Sequence, residues 1–306
     1  MEQYAKFAIR AKEVIENLRK ENQINPYKWE CHLMEGCERY PRIKSAIDEV
    51  SARPELSDGE RVIELRKKIS ELWKSDSDDN VRLDILKWVV NDWGKIDNIQ
   101  KDTLKKFREK LSLKQYLANE CLRSNVASYS KCLAFVCPNK YYIYDSRVAL
   151  ALNALSFALG YEKAVAFQNP ASRSVYTKLI AKTVKIKSRC SKNNYRVYCA
   201  TLRLMEGIEP EAVVADLSES EELAAFTKVL TSARDGKDDK WIVDAQLKGH
   251  FLEQDLFMLA DKIREGLKKN IVVRKNGNNG KCGIPILSKD DLRVGLQNLL
   301  LISSSE

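Results

Sequence analysis

The most extended apolar stretch in the chain, Val148 to Leu159, interrupted only by Asn153 and Ser156, has the spacing of a helix that stops at Gly160 and is too short to cross a bilayer. No other run comes closer, so the sequence predicts a protein with no membrane partner. With 306 residues, a hydrophobic fraction of 44% and a charged fraction of 31%, the chain has ample material for a buried core. The N-terminal MEQYAKFAIRAKEVIENLRK is an amphipathic helix with charges throughout and no signal-peptide core. Eight cysteines (Cys31, Cys37, Cys121, Cys132, Cys137, Cys190, Cys199 and Cys282) form no CxxC pair and no compact four-ligand cluster. Reduced thiols in a cytoplasmic protein are the expectation. His32 and His250 are the only histidines. Cys31-His32 with Cys37 lacks a fourth ligand, so no metal is expected.

The rest of the chain reads mainly as helices. Apolar residues at Tyr4, Phe7, Ala8, Ala11, Val14, Ile15 and Leu18 predict a helix over 2–20. Further helices are expected over 40–51, 58–74 and 81–93, the last opened by the polar SDSDDN and stopped by Gly94. Others follow over 101–111, 113–122, 125–137, 146–159, 174–186, 194–206, 218–231 and 250–269. The tail differs: Ile271 to Arg274, the turn NGNNG and Gly283 to Leu287 predict a small β-hairpin. Ser288 with Asp291 then opens a last helix over 289–300. The fold class is therefore mostly α with a small C-terminal β-hairpin. The organisation expected is a helical region over 1–160 and a basic region over 161–306, the latter able to pack with the N-terminal helices.

Two features point toward function. Asp145, in Tyr142-Ile143-Tyr144-Asp145-Ser146-Arg147, stands at the mouth of the apolar helix. Aspartate there has an ordinary explanation as an N-cap, accepting the free amides of the first turn. Its approach from an apolar segment, and Arg147 in the first turn as a phosphate ligand, add a second reading as a working carboxylate. The other feature is charge. The chain carries a net charge of +9, and from Lys163 to Met205 there is no acidic residue. Lys163, Arg173, Lys178, Lys182, Lys185, Lys187, Arg189, Lys192, Arg196 and Arg203 supply the positive charge, interleaved with Tyr176, Tyr195 and Tyr198 as stacking partners. An acid-rich stretch, Glu206 to Glu222, follows. Such a basic surface suits a polyanion tracked along its backbone.

The sequence NVASYSKCLAF, a short connection, and KYYIYDSRVALALNAL resemble the helix-hairpin-helix DNA glycosylase superfamily. They are most similar to the bacterial 8-oxoguanine-glycosylase-like proteins, some of which lie in phage-defence loci. LDILKWVVNDWGKI fits the same group, and the likeness runs from Leu83 to Leu155. It implies a glycosylase that flips a damaged or modified base out of double-stranded DNA and cleaves its N-glycosidic bond, in repair or in defence against modified phage DNA. It also implies that Asp145 is catalytic and stabilises the cationic sugar or activates the nucleophile, a role that an ionised carboxylate at a helix N-terminus suits.

In members that also cut the strand, a lysine forms a Schiff base. Lys131 is the candidate here, with Tyr129 competing for the same place. The family's glycine-bearing hairpin corresponds to Ser124-Asn125-Val126-Ala127-Ser128, which has no glycine, leaving Ser128 and Ser130 to hold phosphate. Trp93, Tyr142 and Tyr144 stand as stacking walls of a base pocket, with Phe167, Gln168 and Asn169 from the next loop as readers. The cysteines are too scattered for an iron–sulfur cluster, so no cofactor is expected, and a monomer is. The alternative is a DNA-binding sensor of the same fold that has lost catalysis.

Overall fold

The computed structural model describes residues 2–28, 37–75, 78–96, 99–112, 122–138, 141–167, 180, 192–206, 240–270 and 288–302. Every regular element among them is helical. In chain order they are α1 (Glu2–Lys20), a 3-10 turn (Cys37–Arg39), α2 (Pro41–Ser51), α3 (Asp58–Ser75) and α4 (Asp79–Lys87). A π-helix (Trp88–Trp93) continues α4, and α5 (Lys101–Ser112), α6 (Leu122–Val136) and α7 (Ser146–Ala158) follow. The last three are α8 (Lys192–Glu206), α9 (Lys240–Asn270) and α10 (Lys289–Leu299). The helices expected over 174–186 (but for Ile180), 218–231 and most of 113–122, and the β-hairpin over 271–287, lie outside the described residues. None of the described helices is long and apolar enough to cross a membrane.

The chain divides into two compact units, neither of them one continuous stretch, and one of the boundaries falls between Asp145 and Ser146. One unit comprises Pro26–Asp145 with Cys190–Tyr195. Asp78 caps α4 by accepting the Asn80 amide at 2.8 Å, as the acidic run ahead of it predicts. The core of this unit gathers round Phe135 on α6. Trp88 and Trp93 of the π-helix meet its ring edge-on at 5.6 and 4.9 Å, and the buried Arg66 guanidinium of α3 lies 5.4 Å from its centroid. Phe107 of α5 packs against Tyr129 one turn and a half earlier on α6, at 5.0 Å.

The other unit comprises Met1–Asn25, Ser146–Arg189 and Arg196–Glu306. Every residue of α7 from Val148 to Ala158 is buried, so this helix is covered all round. α1, α9 and α10 pack on it. Gly160 ends it as the sequence predicts: its φ is 79°, and Tyr161 N–H returns to Ser156 O at 2.8 Å. The chain beyond runs back beside α7, held by side chains. The Asn153 amide donates to Phe167 O at 2.7 Å and accepts from Phe167 N–H at 2.8 Å, while Ser156 Oγ donates to Val165 O at 2.6 Å. Arg19 of α1 donates to Asp255 of α9 at 2.9 Å, and Lys289 and Arg293 of α10 both hold Glu162.

Candidate active site

The site is built on α6 and the extended residues 141–145, both within the first-described unit. The described part of α6 covers Leu122–Val136, so residues 124–128 are helical. The hairpin turn assigned to them is therefore not there, and Ser128-Tyr129-Ser130-Lys131 sits in mid-helix. From Ser128 to Val136 every α6 side chain is buried. Ser130 is 0% exposed and Ser128 6%, which corrects their assignment as phosphate ligands.

Ser130 has another job. Its Oγ accepts the Tyr144 N–H at 3.0 Å and lies 3.3 Å from Tyr144 O, to which its own hydrogen can be donated. Two residues earlier in the segment, Tyr142 O accepts the hydroxyl of Tyr195 from α8 at 2.8 Å. The extended segment is thus held through its backbone by side chains from two helices. Because Lys131 follows Ser130 and Asp145 follows Tyr144, this clasp also sets the register of the next pair. Lys131 Nζ stands 3.9 Å from Asp145 Oδ2, an ion-pair separation beyond hydrogen-bond range.

Burial makes the pair unusual. Lys131 is 5% exposed and Asp145 8%, where most lysines and aspartates face water. Taking both charges out of water is costly, and a hydrophobic pair would serve packing at least as well. Ionisable groups brought together under those conditions are characteristic of reaction sites. The neighbouring Cys132 is not a rival nucleophile, because burial pushes its thiol far up, with Lys131 only partly opposing.

The remaining expected residues are placed differently. Tyr142 and Tyr144 are 1% and 0% exposed, so both rings are covered instead of lining an open wall. Tyr195 and Tyr198 are each 0% exposed. They are core residues, which corrects their reading as surface stacking partners; Tyr195 packs 6.2 Å from the Tyr144 ring. Trp93 is half-buried against Phe135. Phe167 is buried between Tyr4 and Phe7, so it does not read a base. In the other unit, the Arg147 guanidinium lies 4.3 Å over the Phe257 ring of α9. Lys192 and Arg196 are on α8, but their side chains lie outside the described residues. So do Gln168, Asn169, Arg173, Lys178, Lys182, Lys185, Lys187 and Arg189.

Gly94 was legible only as a helix stop, and that role belongs to its neighbour. Lys95 takes the left-handed turn with a φ of 49°, and Ile96 N–H donates back to Val90 O at 3.1 Å. Gly94 itself has a φ of −78°, and it lies against the aliphatic stem of Lys131. Among the described residues, no three His, Cys, Asp or Glu side chains gather as metal ligands. No family profile, curated protein or solved structure matches the chain.

Proposed function

We propose that the protein is a DNA N-glycosylase, with Asp145 as the catalytic carboxylate and Lys131 as its partner amine. The buried Lys131–Asp145 pair carries this reading. Breaking an N-glycosidic bond places positive charge on the sugar, and a fixed carboxylate in a water-poor site stabilises that charge. An amine beside the carboxylate adds a second route. Asp145 takes the proton that the amine must shed, the Lys131 nitrogen attacks sugar C1′, and the base departs with the electrons of the broken C1′–N bond. The likeness of Leu83 to Leu155 to helix-hairpin-helix glycosylases supports the same chemistry. The basic stretch 163–205 supplies the charge for holding double-stranded DNA.

One observation favours the second reading, a DNA-binding sensor without catalysis: residues 124–128 form helix where the resemblance calls for a glycine-bearing phosphate loop. The two readings separate in one experiment. The protein is incubated with duplexes carrying oxidised, alkylated or phage-type modified bases, and mass spectrometry identifies any released base. A glycosylase releases at least one, and Asp145→Asn slows that release by about 100-fold or more. Borohydride traps a covalent adduct on wild type but not on Lys131→Ala if the amine attacks. Salt-sensitive duplex binding without release of any base establishes the sensor instead. Equal rates for Asp145→Asn and wild type remove Asp145 from the mechanism.

A further inference from the structure

A Cβ on Gly94 would stand 2.9 Å from Lys131 Cδ, and 2.6 and 2.8 Å from the carbonyl oxygens of Val90 and Val89. The backbone angle at this position is open to any residue, so space, and not conformation, requires glycine. The element that delivers it is uncommon. A π-helix widens the turn by one residue, and such turns are found mostly as single insertions at functional sites.

This turn packs along one face of α6. Lys131 and Phe135 are four residues apart and therefore neighbours on that face. Trp88 and Trp93 both meet the Phe135 ring edge-on, and the next residue, Gly94, closes on the Lys131 stem. The stem then has little room to swing, and its amine is held 3.9 Å from Asp145 Oδ2.

We propose that Gly94, presented by the π-helix, is a positioning residue for Lys131, its missing side chain forming the slot that aims the amine at Asp145. The proposal rests on the reading of Lys131 and Asp145 as the reacting pair, and it concerns how that pair is aligned. A methyl group in the slot displaces the Lys131 stem, and the amine moves away from the carboxylate. Misplacements of this size cost reaction rates on the order of 10- to 100-fold.

The test is Gly94→Ala, read in three ways on the full chain. The first is the titration of the Lys131 amine by NMR of nitrogen-15-labelled lysine, assigned by the signal missing in Lys131→Met. In the native protein, Asp145→Asn lowers the Lys131 midpoint, because the opposite charge is removed. In Gly94→Ala the same Asp145→Asn change moves it less than half as far. The second is thermal stability. Lys131→Ala recovers a measurable part of the midpoint lost through Gly94→Ala, because truncating the stem relieves its contact while those with the Val89 and Val90 carbonyls remain.

The third is borohydride trapping on an abasic duplex, which falls at least 10-fold in Gly94→Ala. An Asp145 effect on Lys131 that is equal in both backgrounds overturns the proposal. So does a stability loss that Lys131→Ala leaves untouched, since Gly94 then serves only the Val89 and Val90 carbonyls. If Gly94→Ala does not fold, folding of Gly94→Ala/Lys131→Ala supports the slot, and failure of both variants overturns it. A wild-type protein that neither releases a base nor traps DNA removes the glycosylase reading alone. The titration and the stability cycle still decide the role of Gly94.

Discussion

At the level of single residues, the side chains that organise the site are small and polar. Ser130 contributes one hydroxyl, yet that oxygen accepts the buried Tyr144 amide and sets Asp145 opposite Lys131. Removing it leaves a donor buried without an acceptor, which costs roughly 1–3 kcal/mol. Ser130→Ala is therefore expected to lower the unfolding free energy by that amount in a urea titration, whereas Ser130→Thr, which keeps the oxygen, loses less. The sequence shows Ser128, Ser130, Lys131 and Asp145 close along the chain, and their membership in one neighbourhood was legible. The direction each side chain takes was not. In a helix buried on all sides there is no polar face to reveal that Ser130 turns inward, and lysine is so seldom buried that composition argues against it at Lys131. Likewise Tyr195 reads as one more aromatic in a basic stretch, although its hydroxyl braces Tyr142 O.

Secondary-structure elements were more legible than residues wherever periodicity and end signals agreed. α1, α2, α3 and α7 begin and end within two residues of their expected bounds. Each has an apolar stripe or apolar body and a recognisable stop. Gly160 is the clearest such stop, at φ 79°. A side chain in that left-handed turn costs about 1–2 kcal/mol, so Gly160→Ala should lower the thermal midpoint without changing helix content by circular dichroism. The misread elements share a cause. In α6, residues 122–124 are helical ahead of the expected 125, and no apolar repeat there announces it. The π-helix of Trp88–Trp93 is invisible to a 3.6-residue template, since one wide turn does not alter the apolar pattern on either side. Gly94 was consequently assigned the turn that Lys95 makes.

Across the whole molecule, ion pairs among the described residues join distant parts of the chain within a single unit, Arg19–Asp255 and Arg293–Glu162 among them. Burial raises the Asp255 carboxyl to about 6, with Arg19 opposing the shift, so the folded state holds its proton more tightly than the unfolded chain, whose value is near 3.8. A raised carboxyl contributes stability that is present below the unfolded value and lost as pH rises through the folded one. Wild type minus Asp255→Asn is therefore expected to fall between pH 4 and 7, by on the order of 2–3 kcal/mol. Thermal unfolding of both proteins across that range measures the difference. Glu162 runs the other way. Burial alone would raise it, but the hydrogen bonds from Arg293 and Lys289 hold it below its ordinary value, so its contribution is lost in acid. Taking the difference between the two proteins cancels that opposing slope.

The division at Asp145 also bears on the order in which the protein is made. The chain emerges from the ribosome N-terminus first, and everything needed for the Lys131–Asp145 pair has appeared once Tyr195 has left the tunnel. α7 is finished by then, yet α9, its main cover, begins only at Lys240. For that interval a helix with no polar face has α1 to pack on but waits for α9 and α10. The nascent protein thus holds every residue of the Lys131–Asp145 pair and its clasp while α7 still lacks its main cover, a form in which a translating chain is exposed to aggregation.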